Sequence, residues 1–371
     1  MRIIGVLAWL ALVSSLSAAT LSNPSRVATG FEFSVTGTSN AIYAVQASSD
    51  LTNWTIVATN RQFGEVRTIQ IPSSAQEEFY RVRLLQPLFT AALAVHESID
   101  FAGAGVTVVS FDSLDPRYSR PDGTFDPTKF SDRGDITTIS ALTNSLNLGN
   151  AKVYGHVRAP RDGVVVLGPG GAVGSILWHL NGGRGIQEGW YAEVTPRVFV
   201  DAEVPTGVYV TPGPGIVDGT NYYTYVLSNG NYRLNELRLG SGRSMLVTGR
   251  ATLYVSVSFH VTGKIVILRD AGLDLYVGAA DAALQVSQIV NESRNAAAFA
   301  YYGLRSNLYL SMGGIGSFAG TIYAPAAGIH IGGGGTDALE FIGAVVARHI
   351  TVNGKLNVRY DEALGLAGPA W

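Results

Sequence analysis

Short apolar–aromatic–apolar triplets recur beside glycine in the C-terminal half of the chain: Leu253-Tyr254-Val255, Leu275-Tyr276-Val277, Leu308-Tyr309-Leu310 and, more loosely, Ile322-Tyr323-Ala324. The first two lie 22 residues apart, and Phe318-Ala319-Gly320 returns as Phe341-Ile342-Gly343 after 23. Alternate residues of a strand face opposite sides, so the Leu and Val of a triplet share one face and the Tyr takes the other. One such strand cannot bury its apolar face alone, but stacking on its own repeat does so and pairs both backbone edges. The pattern therefore predicts a β-solenoid, with Leu253, Leu275 and Leu308 inward and Tyr254, Tyr276 and Tyr309 forming an outward column. An antiparallel sandwich also places strands every 8 to 12 residues between glycine turns. It gives no reason for phrases to recur at a longer fixed period.

The same logic divides the rest of the chain. Alternating runs at Phe31-Glu32-Phe33-Ser34-Val35, Ile42-Tyr43-Ala44-Val45-Gln46 and Phe79-Tyr80-Arg81-Val82 predict a small antiparallel β-sandwich over residues 20–88. Residues 89–140 read as an Asp-rich connector, and 141–362 as the solenoid, interrupted by an Asn-, Tyr- and Pro-rich insertion at about 180–244. Residues 281–302, with an Ala296-Ala297-Ala298 run, are the best candidate for a helix. Residues 363–371 are a tail. The expected class is all-β: a small sandwich followed by a parallel β-helix-like domain carrying an insertion.

Two stretches resemble known modules. Tyr43-Ala44-Val45-Gln46-Ala47-Ser48-Ser49-Asp50-Leu51-Thr52-Asn53-Trp54, followed by Phe79-Tyr80-Arg81-Val82, resembles the fibronectin-III-like module of secreted proteins of Verrucomicrobia and related bacteria. The resemblance implies a spacer or weak adhesive role and no fixed activity. From Phe318-Ala319-Gly320-Thr321-Ile322-Tyr323-Ala324-Pro325, through Phe341-Ile342-Gly343-Ala344-Val345, to Tyr360-Asp361-Glu362, residues 245–362 resemble a domain of unknown function found in pilus-assembly (PilX-like) and surface-anchored bacterial proteins. That resemblance implies a surface β-solenoid, without catalytic residues to carry over.

Composition narrows the partners. Charged residues make up 15% of the 371, and the net charge is -2, so no basic face is available for nucleic acid. Met1-Arg2, an apolar run at 3–12 and Ser17-Ala18-Ala19 have the layout of a secretory signal over residues 1–19, with the mature chain starting near Thr20. No later stretch reaches 18 unbroken apolar residues, so no transmembrane segment is expected after cleavage. The expected location is the periplasm, the outer cell surface or the medium. With no cysteine at all, stability must come from packing and hydrogen-bond ladders.

Candidate chemistry is sparse. Six aspartates, Asp112, Asp115, Asp122, Asp126, Asp132 and Asp135, crowd the connector. Carboxylates in a turn-rich stretch suit calcium, with Asp115, Asp122 and Asp126 as the first choice of ligands, but Asp is equally a turn former. The six histidines are dispersed and read as surface or stacked strand residues rather than ligands. Asp270 and Asp274, near Lys264 and Arg269, are the one charged cluster on the coils able to serve an enzyme. The Tyr254, Tyr276 and Tyr309 column would suit stacking on sugar rings or another protein. The balance favours a non-catalytic structural or adhesion protein meeting surface polysaccharide or other envelope proteins, with a polysaccharide-degrading or polysaccharide-binding parallel β-helix as the alternative. No cofactor other than calcium is implied.

Overall fold

A computed structural model describes residues 20–366, except 28–29, 37–41, 50, 52–54, 62–65, 73–78, 86–87, 102–104, 143–144, 195–198, 218 and 333–336. The expected signal segment, the glycine run at 333–335 and the end of the C-terminal tail lie outside the described residues. The chain is nearly all β, with 56% strand and 6% helix, and divides into two compact units that meet in sequence at Pro87 and Leu88.

The first unit holds two antiparallel sheets of three strands. One pairs Gly30–Thr36 with Thr20–Val27 and Val66–Pro72, the other Ile42–Ser48 with Thr55–Arg61 and Phe79–Leu85. Their apolar faces meet through Phe33 and Tyr80, whose rings lie 4.9 Å apart.

The second unit is dominated by parallel pairing. The repeated phrases lie directly beside one another: Leu253 pairs with Leu275, Tyr254 with Tyr276 and Phe318 with Phe341. One inward ladder runs Tyr232, Leu253, Leu275, Tyr301, Ile322, Val345, Leu93, Ile136, Val157. A second passes from Phe259 through Leu310, Ile350 and Ile99 to Leu146. A third runs Phe341, Val358, Val108, Val153, Val173. These aliphatic and aromatic columns form one continuous buried core. By connectivity, six of the strands (Arg250–Val261, Gly272–Val277, Phe299–Gly303, Gly316–Gly332, Tyr309–Gly313 and Asp281–Gln285) pair in a closed ring, a six-stranded barrel.

Two local features explain the sequence pattern. Gly343, at φ 143°, passes so close to the Gly320 carbonyl that a Cβ there would collide, which fixes glycine in the second Phe-x-Gly phrase, while a Cβ at Gly320 would meet the Phe299 ring at 2.6 Å, which favours glycine in the first. Inside the ladder, Tyr301 is fully buried, and its hydroxyl donates to Asn307 Oδ1 at 2.9 Å while Asn307 Nδ2 donates to the Ala279 carbonyl at 2.7 Å. A buried phenol is tolerated because its polar end is satisfied inside the core.

Several expectations need correction. Leu308 is 54% exposed, because the strand starts one residue later at Tyr309 and the inward position goes to Leu310. Residues 281–302 hold three short strands, Asp281–Gln285, Ile289–Asn291 and the start of Phe299–Gly303, and two single 3₁₀ turns, whereas among the described residues the α-helix lies at Ile176–Leu180. The expected connector belongs to the second unit, where Leu93–Asp100 and Val106–Phe111 are central strands of the parallel sheet. The insertion is narrower than 180–244, since Tyr225–Leu227 and Gly230–Leu239 already lie in the ladders.

The ladders do not follow chain order. Leu339–Asn353 and Leu356–Asp361, near the C-terminal end, pair in parallel with Leu93–Asp100 and Val106–Phe111, the first strands of the unit. The chain thus enters its sheet in the middle, builds outward to Tyr191–Glu193, and resumes at the opposite end with Tyr225–Leu227. The stretch between has to return along the ladder. Its contacts trace that path: Phe199 lies against His96, the Val200 carbonyl accepts from Tyr323, Ala202 bridges Leu304, and Val210 bridges Tyr232. We call residues 199–213 the strap.

Candidate functional site

The tyrosine face and the strap that crosses it form the most elaborate outer surface of the second unit. Parallel pairing puts Tyr254, Tyr276, Tyr302 and Tyr323 in one column. The Tyr276 and Tyr302 rings stack at 4.7 Å, and the Arg233 guanidinium lies 5.2 Å from the centre of the Tyr254 ring. Tyr323 meets Phe89 edge to face at 6.1 Å and donates its hydroxyl hydrogen to the Val200 carbonyl at 2.6 Å. Tyr276 is 1% exposed. Burial, and next the neighbouring Tyr302, pushes its phenol far above the ordinary range, and burial does the same to Tyr302. Tyr323 is pushed up to about 12, by burial and then by Asp201, with the Val200 bond opposing. All three are therefore neutral hydrogen-bond donors at physiological pH, unsuited to act as nucleophiles.

Of the residues expected to form the binding column, Tyr254 and Tyr276 do stand side by side. Tyr309 does not join them; it pairs with Asp281 and Gly328 on a different ladder and is 40% exposed. Tyr302 and Tyr323 complete the column instead. Their signal was present, since Tyr301-Tyr302 and Ile322-Tyr323 repeat the apolar-then-tyrosine order at a similar spacing. What no spacing could reveal is the cover.

The charged cluster separates. Asp274 is half-buried at the centre of this face, and burial raises its carboxyl above the usual range against the opposing charge of Arg250. Asp270, Arg269 and Lys264 are exposed. Beside the strap lies a shallow groove of about 540 Å³, lined by Ala202, Glu203, Val204, Leu304, Arg305 and Ser306. It brings together one carboxylate, Glu203, and one guanidinium, Arg305, on an open surface, and its lining holds no second carboxyl to complete a hydrolytic pair.

The Asp-rich stretch resolves into separate turns. Asp115 Oδ1 accepts from the Arg117 amide at 2.9 Å, Asp122 Oδ1 from the Thr124 amide at 3.1 Å, and Asp126 Oδ1 from the Thr128 amide at 3.0 Å. In each case the side chain of that second residue also donates, at 2.7 Å from Thr124 Oγ1 and from Thr128 Oγ1. These bonds hold all three carboxyls below their usual range: the Arg117 side chain acts first on Asp115, the Thr124 hydroxyl on Asp122 and the Thr128 amide on Asp126. Each aspartate thus closes its own turn. Among the described residues, no group of three or more His, Cys, Asp or Glu side chains is placed to hold a metal ion. Asp135 differs, being buried and clamped by Arg158 Nη2 at 2.6 Å and the His156 amide at 2.8 Å. Two histidines stack on aromatic rings, His179 on Tyr154 at 3.9 Å and His156 on Trp190 at 4.5 Å. They act as flat packing pieces at the end of the ladder.

Residues 214–366 match the model of a family described as a domain of unknown function (DUF7305). The match begins where the strap reaches the first rung and ends with the last strands. No curated protein and no solved structure matches the chain. Among the described residues no helix is long and apolar enough to cross a membrane.

Proposed function

We propose that this chain is an exported, non-catalytic structural or adhesive protein whose second unit is a β-solenoid, serving as a stiff scaffold at or beyond the cell envelope. The observation that carries this reading is the fate of the polar and aromatic groups. The tyrosine face is covered by the chain's own strap, and the acidic residues expected to converge each close a local turn. The solenoid reading draws on inward columns of Leu, Val, Ile and Phe that continue in parallel register from rung to rung, as stacked repeats require. The first unit, read as a fibronectin-III-like module, serves as a spacer or weak adhesive element. Pilus-associated surface display fits the resemblance of residues 245–362. Partners are surface polysaccharides or envelope proteins, met through exposed positions such as Tyr309.

A panel of bacterial and plant polysaccharides incubated with the purified chain tests this. Retention on one or more glycans or envelope fractions without new ends is the expected result. New reducing or unsaturated ends would refute the non-catalytic reading and favour the polysaccharide-degrading alternative.

A further inference from the structure

The main body of the second unit consists of two runs of chain, residues 88–193 and 225–365, whose only covalent link is residues 194–224. They meet at a seam in which every partner comes from the opposite run. Val345 lies beside Leu93, Ile350 beside Ile99 and Val358 beside Val108. The seam is also keyed by polar bonds. Tyr360 donates to the Phe89 carbonyl at 2.9 Å, Asp361 accepts from the Ser113 amide at 3.0 Å, and Glu362 receives Arg133 Nη1 at 2.9 Å. None of these contacts requires the two runs to belong to the same molecule. Each run also has parallel pairings of its own, the continuous core being completed only where the two meet, and the matched family covers one run without the other.

We propose that two copies of this chain exchange runs, so that residues 88–193 of one copy dock on residues 339–361 of the second through the same seam, giving domain-swapped oligomers. The strap permits it. Between Val200, held by Tyr323, and Val210, paired with Tyr232, the strap crosses four rungs, a span of about 19 Å at ~4.8 Å per rung. The ten residues it uses could reach about 33 Å when extended, so the link has slack. It is also lightly held at its far end, by Val210 N donating to Asn231 at 3.0 Å, Arg233 N donating to Val210 at 2.9 Å and Val226 N donating to Gly213 at 3.0 Å. A tether of this length sets an effective concentration on the order of a millimolar. Intramolecular closure therefore dominates in dilute solution, and exchange competes during folding as protein concentration approaches that value. The proposal rests on the pairing order alone and stands whether or not the protein is catalytic.

The chain has no cysteine, so a cross-link can report the seam cleanly. Thr107 and Asn357 are direct partners across it, and a Thr107→Cys/Asn357→Cys variant of the full chain is refolded from urea at micromolar and at near-millimolar concentration, then oxidised. The expected result is an intrachain cross-link in the dilute sample and, in the concentrated one, dimers and higher species that survive denaturing, non-reducing electrophoresis. The absence of oligomers at both concentrations, or oligomers carrying intrachain cross-links alone, would overturn the proposal. A second sample co-refolds the Thr107→Cys and Asn357→Cys single variants at near-millimolar concentration, where a cross-link between these two positions can form only between copies. A disulfide-linked dimer containing one of each is expected, and its absence would equally overturn the inference.

Discussion

Replacing Tyr276 by Ala tests whether the outward tyrosine column is a displayed surface or part of a second core beneath the strap. An exposed aromatic on a sheet surface costs within about 1 kcal/mol to truncate. Tyr276, however, is 1% exposed and stacks on Tyr302 at 4.7 Å. Truncating a buried aromatic to Ala costs about 3–5 kcal/mol, of which the ring pair accounts for roughly 0.5–1.5. That is as large as the roughly 2–5 kcal/mol expected for Leu275→Ala on the inward side of the same strand. Tyr309→Ala, at a position 40% exposed, is the internal control and should change stability by less than about 1 kcal/mol. Urea unfolding followed by circular dichroism, compared at the midpoint of the second unit's transition, separates these cases. At about 2 °C per kcal/mol for a unit of this size, Tyr276→Ala should also lower Tm by roughly 6–10 °C. If Tyr276→Ala and Tyr309→Ala prove equally mild while Leu275→Ala is severe, the strap does not bury the column and the covered-face argument fails.

Further outcomes are expected. Tyr323→Phe removes the hydroxyl that binds the Val200 carbonyl and should cost about 1 kcal/mol, with proteolysis at the strap accelerating before any loss of sheet signal. Excess chelator should leave the melting curve unchanged, because Asp115, Asp122 and Asp126 are already engaged in their own turns; a chelator-dependent drop in Tm would revive the calcium reading. Burial raises the Asp361 carboxyl above its unfolded value of 3.8, so its favourable contribution is present below that pH and is lost as pH rises through the folded value. Asp361→Asn keeps the Oδ1 acceptor for the Ser113 and Ala363 amides and should therefore gain stability over the parent at neutral pH, with the gain vanishing below about pH 4; an equal effect at both pH values would contradict this. N-terminal sequencing of exported protein should begin at or near Thr20, and a retained Met1 on cytoplasmic protein would refute the export proposal.

Much of the inward face was legible because two periodicities coincide there. Leu253, Leu275, Phe318 and Phe341 combine strand alternation with a longer repeat of 22 or 23 residues, and each pairs with its echo. Leu308 is exposed because it follows the turn at Arg305-Ser306 and precedes the strand, whose alternation begins only at Tyr309. Alternation is also present in Tyr232 and Leu234 and, after a register shift, in Leu237 and Leu239, where the Asn- and Tyr-rich surroundings suggest an insertion although the apolar positions point inward. The Ala296-Ala297-Ala298 run suggests a helix through intrinsic propensity, and it does make one 3₁₀ turn capped by Asn295, which ends where Phe299–Gly303 begins to pair with Gly272–Val277. The aspartates were ambiguous in principle. An Asp two residues before Thr suits a cation site and a capped turn alike, and only the observed Oδ1 distances decide which role it fills.

Chain order within the ladder had no sequence signal, for a physical reason that also bears on folding. Ser113 and Asp361 are 248 residues apart, and Phe89 and Tyr360 271; no local pattern encodes which parallel edge will meet another at such distance. Closing so long a loop costs little more free energy than closing one half as long, because the entropy grows only logarithmically with length. The kinetic consequence is larger. Until residues 339–361 are in place, the edges of Leu93–Asp100 and Val106–Phe111 stand open, and open edges are templates for other strands. A chain that completes its core last keeps itself unclosed while it is being made, which suits the export proposed above. It also leaves a complementary edge available to a second copy, so late closure and exchange at the seam have one cause: the first strands of the unit wait for the last.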